Sequence, residues 1–480
     1  MKLFLCLALL YLTEKTFSQE KIFEYRLPEE FRTKLVASTT HFYGGKLLQH
    51  YLVATKNKIR HIYLSQDGKQ KEIVSDINDD PEDQDEEVDS VVNSSIISYY
   101  RRCEFLLHIP STTKSLDLIY LRNPMKYYII STDMKTGNIQ IEDSLKRSMG
   151  IELVSCYFND NAIIFLHHLL GKNDFVINTK KIGEPQKIDT VKIEFPKNYS
   201  NLKIGNFTKT EVSPSVKLFP YYNLWIPPLL TDSRNTAFQN KEHLIILVNE
   251  PIESTFMVDI NIITKKYSVN NYSTNKTNYK TLTSSWIAEN FLITSYAQDS
   301  AVNIFVYDYV EKELVNSISI NKDNFEKYAT SRILKTGDFW SRSNVKQSDF
   351  EVFLKKANAN RLLFSAYKMN NELFFTLTTK YDIVATSTFL GNIVTLGVFD
   401  FRQAKPVPTL SFDVGIKLPD LQPSQKETKN FVWEKIYKLI WAKRFDLRFF
   451  FINFFENYYY VTHFDQRSKK IDTYRYYQFQ

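Results

Sequence analysis

Residues 303–320, NIFVYDYVEKELVNSISI, place apolar and polar side chains in alternation, the period of two that a β-strand imposes. The alternation stops at a polar stretch around DYVEKE and then resumes, which predicts two short strands joined by a turn. Six other segments read the same way. They are IYLSQDGKQKEIV (62–74), YYIISTDMKTGNIQI (127–141), FVINTKKIGEPQKI (175–188), FMVDINIITKKYSV (256–269), VTLGVFDFRQAKPVPTL (394–410) and YYYVTHFDQRSKKIDTY (458–474). In each, Asp, Asn, Lys or Gly fills the turn, where a polar or φ-permissive residue is needed.

Upstream of most hairpins lies a compact apolar run: EFLLHI (104–109), AIIFLHHLL (162–170), HLIILVN (243–249), FLITSYA (291–297), DIVATST (382–388) and RFFFINFF (448–455). A run covered on both faces, followed by a more polar hairpin, is how an inner strand and two outer strands of a radial sheet read. The succession resembles a β-propeller, all-β and single-domain over residues 19–480, with seven blades and with six or eight as alternatives. The type-defining signatures are missing: there is no Trp-Asp dipeptide, no kelch-type double-glycine repeat and no Asp-box. The spacing of the hairpins is uneven, so insertions are expected near 76–95, 209–240, 321–358 and 415–445. Tandem β-sandwich domains would show the same short strands, but no Pro/Gly/Ser-rich linker divides the chain. A propeller closes by pairing its terminal segments, and KIFEYRL (21–27) is suited to complete the last sheet.

Composition agrees. Aromatics are 15% of the chain, with 36 Phe and 30 Tyr against 12 Gly, a balance that favours strands. The start, MKLFLCLALLYLTEKTFSQE, has one Lys, an apolar run Leu3–Leu12 and small residues at Thr16 and Ser18, the layout of a secretory signal peptide over 1–18. The run is too short to cross a bilayer. An extracellular location follows as the expectation. Cys103 and Cys156 then remain, offered either as one disulfide or as two buried thiols. Asn93, Asn198, Asn206, Asn271 and Asn275 stand in Asn-X-Ser/Thr sites, and any that carries glycan must be at the surface.

The formal charge is +7, and it falls to +6 when Lys2, Glu14 and Lys15 leave with residues 1–18. Acidic residues between Asp76 and Asp89 oppose that balance, so the rest of the chain is more basic than the total suggests. The basic residues are scattered, which argues against a nucleic-acid partner; a membrane surface is the lesser partner beside a protein or a glycan. The acidic run reads as a solvated loop. Its sharper alternative is a weak calcium site, although it lacks the Asp-X-Asp-X-Asp-Gly spacing. Residues 212–232, VSPSVKLFPYYNLWIPPLLTD, are too apolar for a free loop and too Pro-rich for a central strand. They either cover a face of the disc or present Tyr221, Tyr222 and Trp225 to a partner. Residues 321–358 acquire helical character near their end, and 429–448 place Val432, Ile436, Leu439 and Ile440 at helical spacing. The short helix expected to dock on the disc is that of 429–448, with a membrane-bound helix or simple strand as its alternatives.

No catalytic motif stands out. There is no Gly-X-Ser-X-Gly elbow, His-Glu-X-X-His helix, phosphate loop or dinucleotide fingerprint. The eight histidines are dispersed, and His167 and His168, adjacent on one strand, point to opposite faces, one core and one surface. Sites that converge from several blades leave no local motif; polar residues at strand ends such as Asn249 or Asp382 are examples of such candidates. The functional expectation is a secreted, non-enzymatic interaction platform for a protein or glycan. The alternative is a secreted hydrolase with a channel-centred carboxylate or calcium site.

Overall fold

The computed structural model describes residues 20–27, 34–43, 46–55, 58–76, 99–100, 103–121, 125–146, 150–159, 162–182, 184–205, 207, 216–219, 235–239, 242–249, 254–273, 283–298, 300–331, 333–336, 350–359, 362–380, 409–424, 450–455 and 458–477. Each hairpin predicted over residues 62–74, 127–141, 175–188, 256–269 and 303–320 forms, and each is the outer half of a four-stranded antiparallel blade. Blade 1 comprises Lys34–Tyr43, Lys46–Ala54, Lys58–Ser65 and Gln70–Asp76. Blade 2 comprises Glu104–Ile109, Lys114–Leu121, Lys126–Asp133 and Ile139–Lys146. Blade 3 comprises Ile151–Asn159, Ala162–Leu169, Asp174–Lys181 and Lys187–Lys192. Blade 4 comprises Asn235–Gln239, His243–Val248, Ser254–Asn261 and Tyr267–Ser273, with Val216–Phe219 added in parallel at its inner edge. Blade 5 comprises Ser284–Ala288, Phe291–Gln298, Ala301–Asp308 and Glu313–Asn321.

Blades 6 and 7 depart from the regular order. Blade 6 runs Leu362–Met369, Glu372–Lys380 and Thr409–Lys417, and its outer edge is shared by Leu334–Thr336 and Gln422–Pro423. The segments 394–408 and 382–388, read from sequence as a hairpin and its inner strand, lie outside the described residues. Blade 7 comprises Phe450–Phe455, Tyr458–Asp465 and Lys470–Tyr477, and its outermost strand is Glu20–Arg26 from the other end of the chain. The pairing runs from Glu20 opposite Arg475 to Arg26 opposite Lys470. The hairpin 458–474 is therefore the inner-middle pair of its blade, because the N-terminal strand supplies the edge.

Packing between blades closes the ring. Tyr25 and Phe464 meet Tyr51 and Ile62 between blades 7 and 1. Leu52 and Ile59 meet Ile119 and Ile130 between blades 1 and 2, and Leu118 and Ile129 meet Cys156 and Phe165 between blades 2 and 3. Leu166 and Ile177 join Leu244 and Val258 between blades 3 and 4. One larger cluster, including Phe238, Trp286, Phe375 and Val461, runs through blades 4 to 7. The protein is a seven-bladed β-propeller.

The apolar runs at 162–170, 243–249 and 291–297 are second strands rather than innermost ones. A second strand has a strand on each edge and a blade on each face, so Ala162–Leu169 is buried almost throughout. The innermost strands afford more polar residues, including Glu152, Thr236, Ser284 and Ser285. The helix Phe350–Ala359 docks between blades 5 and 6 through Phe350, Phe353, Leu354 and Ala357, the spacing of one helical face. This helix lies at the end of 321–358, where the sequence has helical character; the docked helix expected at 429–448 lies outside the described residues.

Strand direction alternates through each blade, so connections sort onto two rims. The first-to-second and third-to-fourth connections open on one rim and are short, as at residues 110–113, 134–138, 160–161 and 309–312. The long ones 77–103, 193–215, 274–283, 322–361 and 381–408 all start and end at the other rim. Two connections join opposite rims: 220–234, because Val216–Phe219 runs parallel to Asn235–Gln239, and 425–449, because Gln422–Pro423 pairs with the end of Thr409–Lys417. The expected insertions 209–240 and 415–445 therefore begin or end within blades 4 and 6.

Candidate functional site

Between blades 1 and 2 the apolar packing gives way to imidazoles. His50 and Tyr63 stand opposite each other on the second and third strands of blade 1, and His61 is two residues before Tyr63, so all three face blade 2. From blade 2, His108 and Asp117 stand opposite each other on the first two strands. His50, His61, His108 and Asp117 are each at most 2% exposed. His41, half-buried near the end of the innermost strand of blade 1, borders the group, with its ring centroid 5.5 Å from that of His108.

The polar atoms form one chain of contacts. His41 Nε2 lies 2.9 Å from Thr39 Oγ1, which lies 3.3 Å from His50 Nδ1. His50 Nε2 is 3.2 Å from His61 Nδ1, and His61 Nε2 is 3.2 Å from Thr132 Oγ1 and 3.7 Å from Asp117 Oδ2. His108 Nδ1 is 2.6 Å from Asp117 Oδ1, and its Nε2 is 3.2 Å from the Tyr63 hydroxyl. Tyr100 donates to Asp117 Oδ2 at 2.5 Å. The His50 and His108 rings stack with centroids 3.7 Å apart.

Burial holds His41, His50 and His61 neutral. It lowers His41 to about 3 and His61 to about 4, the latter against the pull of Asp117. It also takes His50 well below the usual value, with the neighbouring imidazoles adding to the effect. At Asp117 burial works the other way, but the His61 and His108 rings and the Tyr100 hydroxyl outweigh it and the carboxyl is lowered. A carboxylate fixing one nitrogen of a histidine while the other nitrogen faces a cluster is the arrangement found behind metal-bound imidazoles. His50, His61 and His108 each offer a nitrogen, all within 4.8 Å of one another, and they are the one such group of three ligands among the described residues.

The sequence candidates are distributed elsewhere. Cys103 and Cys156 are free thiols on opposite sides of blade 2, Cys103 against the cluster shared with blade 1 and Cys156 in the cluster shared with blade 3. Burial pushes the Cys103 thiol up to about 12 and raises Cys156 as well. Asn198 and Asn271 are exposed; Asn93, Asn206, Asn275, Tyr221, Tyr222 and Trp225 lie outside the described residues, as does Asp382. Asn249 is buried and accepts from Thr255 and Ser285, a bracing role between blades 4 and 5. His167 and His168 do point to opposite faces, but both are buried, because blade 3 is covered on both sides. His168 Nδ1 pairs with Glu152, which also accepts from the Phe207 backbone.

No protein-family model matches the chain, and no curated protein matches it either. Among solved structures it is similar to the WD40 domain of SCAP from fission yeast, at 7% identity and a TM-score of 0.29 over 83% of this chain and 98% of that one. It is also similar to the β-propeller domain of the trilobed protease from Pyrococcus furiosus, at 8% identity and 0.28 over 73% and 79%. Prolyl oligopeptidase B from Galerina marginata matches at 8% and 0.32 over 93% of this chain and 47% of that one. Likeness at this level carries no argument, and the propeller rests on the strand pairing and ring closure described above.

Proposed function

We propose that this propeller is a secreted, non-enzymatic scaffold that binds an extracellular protein or glycan through the rim where its long connections emerge. The observation that carries the reading is the sorting of connections. Five long segments start and end at one rim, whereas the opposite rim has short turns. Loops displayed together on a rigid scaffold are where binding residues concentrate. The acidic run 76–89 and the long segment 381–408 belong to this set, so the surface available for recognition is chemically varied.

Support for secretion remains the sequence of residues 1–18, and support for glycan attachment is the exposure of Asn198 and Asn271. The test is a pull-down from extracellular material with the purified protein. A parallel version carries Tyr221, Tyr222 and Trp225 changed to Ala, with folding checked by circular dichroism. Specific capture that the folded variant loses supports the scaffold and places its contact at 220–234, whereas capture that the variant keeps supports the scaffold with a contact elsewhere. Failure of both proteins to capture anything removes the main support for a scaffold and makes a hydrolase screen the next step.

A further inference from the structure

We propose that His50, His61 and His108 hold one divalent transition-metal ion of the zinc class, clamping blade 1 to blade 2, with Asp117 as the positioning carboxylate. Nitrogen ligands without an oxygen-rich shell suit zinc and its neighbours rather than calcium or magnesium. The 3.2 Å between His50 Nε2 and His61 Nδ1 is close to the edge of a tetrahedral site, about 3.3 Å for metal–nitrogen bonds of roughly 2.0–2.1 Å. His61 Nε2 points at Thr132 and Asp117 and keeps its proton there, which leaves Nδ1 as the ligand atom. His108 is set the same way, with Nδ1 on Asp117 and Nε2 toward the cluster.

Without an ion the contacts can all be satisfied by protons. Thr39 donates to His50 Nδ1, His50 Nε2 donates to His61 Nδ1, and Tyr63 donates to His108 Nε2. The ion replaces the proton between His50 and His61. For that, His50 must carry its proton on Nδ1 instead, and Thr39 allows the exchange: its hydroxyl then accepts from His50 Nδ1 and donates to His41 Nε2. No net proton is released in that step, since His50 and His41 each only change tautomer. His108 must tilt out of its stack over His50 and give up its hydrogen bond from Tyr63. The buried setting makes this a closed, structural site rather than one open to a substrate.

The experiment uses the full-length mature protein with any affinity tag removed. It is stripped with a chelator, checked for folding, and titrated with Co²⁺, whose visible absorption reports tetrahedral nitrogen ligation. We expect saturation at about one equivalent per chain and displacement by Zn²⁺. A rise in melting temperature with Zn²⁺ but not with Ca²⁺ should accompany it. His50→Gln and His61→Gln should lose the absorption, Asp117→Asn should weaken affinity by about 10- to 100-fold, and His243→Gln, in blade 4, should leave it unchanged. Should any ligand variant fail to fold, the wild-type titration and melting shift decide alone. A folded wild-type protein that shows no Co²⁺ absorption and no Zn²⁺-dependent melting shift overturns the proposal, as does unchanged binding in folded His50→Gln and His61→Gln.

Discussion

Asp117 is the acceptor on which the polar interface between blades 1 and 2 turns. It takes hydrogen bonds from Tyr100 and His108 at almost zero exposure. Changing it to Ala leaves two buried donors unmatched, a loss of about 3–5 kcal/mol by the measure of broken buried pairs. Asp117→Asn keeps one acceptor oxygen but turns an NH2 toward the other donor, so it should cost less than the Ala variant yet remain destabilising; urea unfolding of the metal-free proteins gives the comparison. Gly137 poses a backbone problem instead. Its φ is +80°, and an added Cβ would lie 2.5 Å from the Val74 carbonyl oxygen of blade 1. Gly171 has a similar φ of +75° with open space around it. Gly171→Ala should therefore show only the left-handed penalty, about 1–2 kcal/mol. Gly137→Ala should exceed it clearly, because the blocking atom is main chain and cannot swing away. Equal losses in the two variants would show that the contact relaxes at no cost.

At the scale of the element, much was legible in sequence because turns repeat a local chemistry. Asp133, Asn261, Asp308 and Asp465 each close a strand with a side-chain oxygen that accepts backbone N–H groups two and three residues on. In all four, the residue four positions on has positive φ: Gly137, Lys265, Lys312 and Lys469. That is why the hairpins announced themselves as polar turns between alternating strands. What misled was rank within the blade, since hydrophobicity peaks in the second strand and not at the channel. The histidine cluster was hidden for a different reason. His50, His61 and His108 belong to no local motif, and only the pairing of His50 with Tyr63 puts the first two on one face, before blade 2 brings the third. The helix Phe350–Ala359 offers a test at this scale. Phe353 is fully buried against Phe412, with ring centroids 4.8 Å apart, so Phe353→Ala should cost about 3–5 kcal/mol. Lys355→Ala, on the exposed side, should stay within about 0.5 kcal/mol. Denaturant midpoints for the two variants check both, and similar midpoints would mean that the helix only rests on the disc.

At the scale of the whole molecule the ring has one seam, and it is held by a strand from the beginning of the chain. Glu20–Arg26 forms the outer edge of blade 7, and Leu27 donates its N–H to the Lys469 carbonyl at 2.8 Å. Phe23, Tyr25 and Leu27 are buried in the cluster shared by blades 7 and 1, each contributing about 1.5–3 kcal/mol if fully lost to water. Their sum is comparable to the entire stability of an ordinary domain, about 5–15 kcal/mol. Removing residues 1–27 would also leave the edge of Lys470–Tyr477 unpaired, a site for strand addition by another molecule. Because each blade is supported on both sides by its neighbours, opening this seam removes support in both directions around the ring. The truncated protein should therefore lose its cooperative melting transition as a whole and aggregate, rather than keep a folded lobe with one blade missing. A synthetic peptide of residues 19–27 added in trans should restore part of the lost transition, since the edge and the apolar recess that receive it are still encoded in the chain. Circular dichroism melts of the truncated chain with and without the peptide make the measurement. A sharp transition near the wild-type temperature in the truncated chain alone would show that the seam is decorative and that the remaining strands suffice to close the ring.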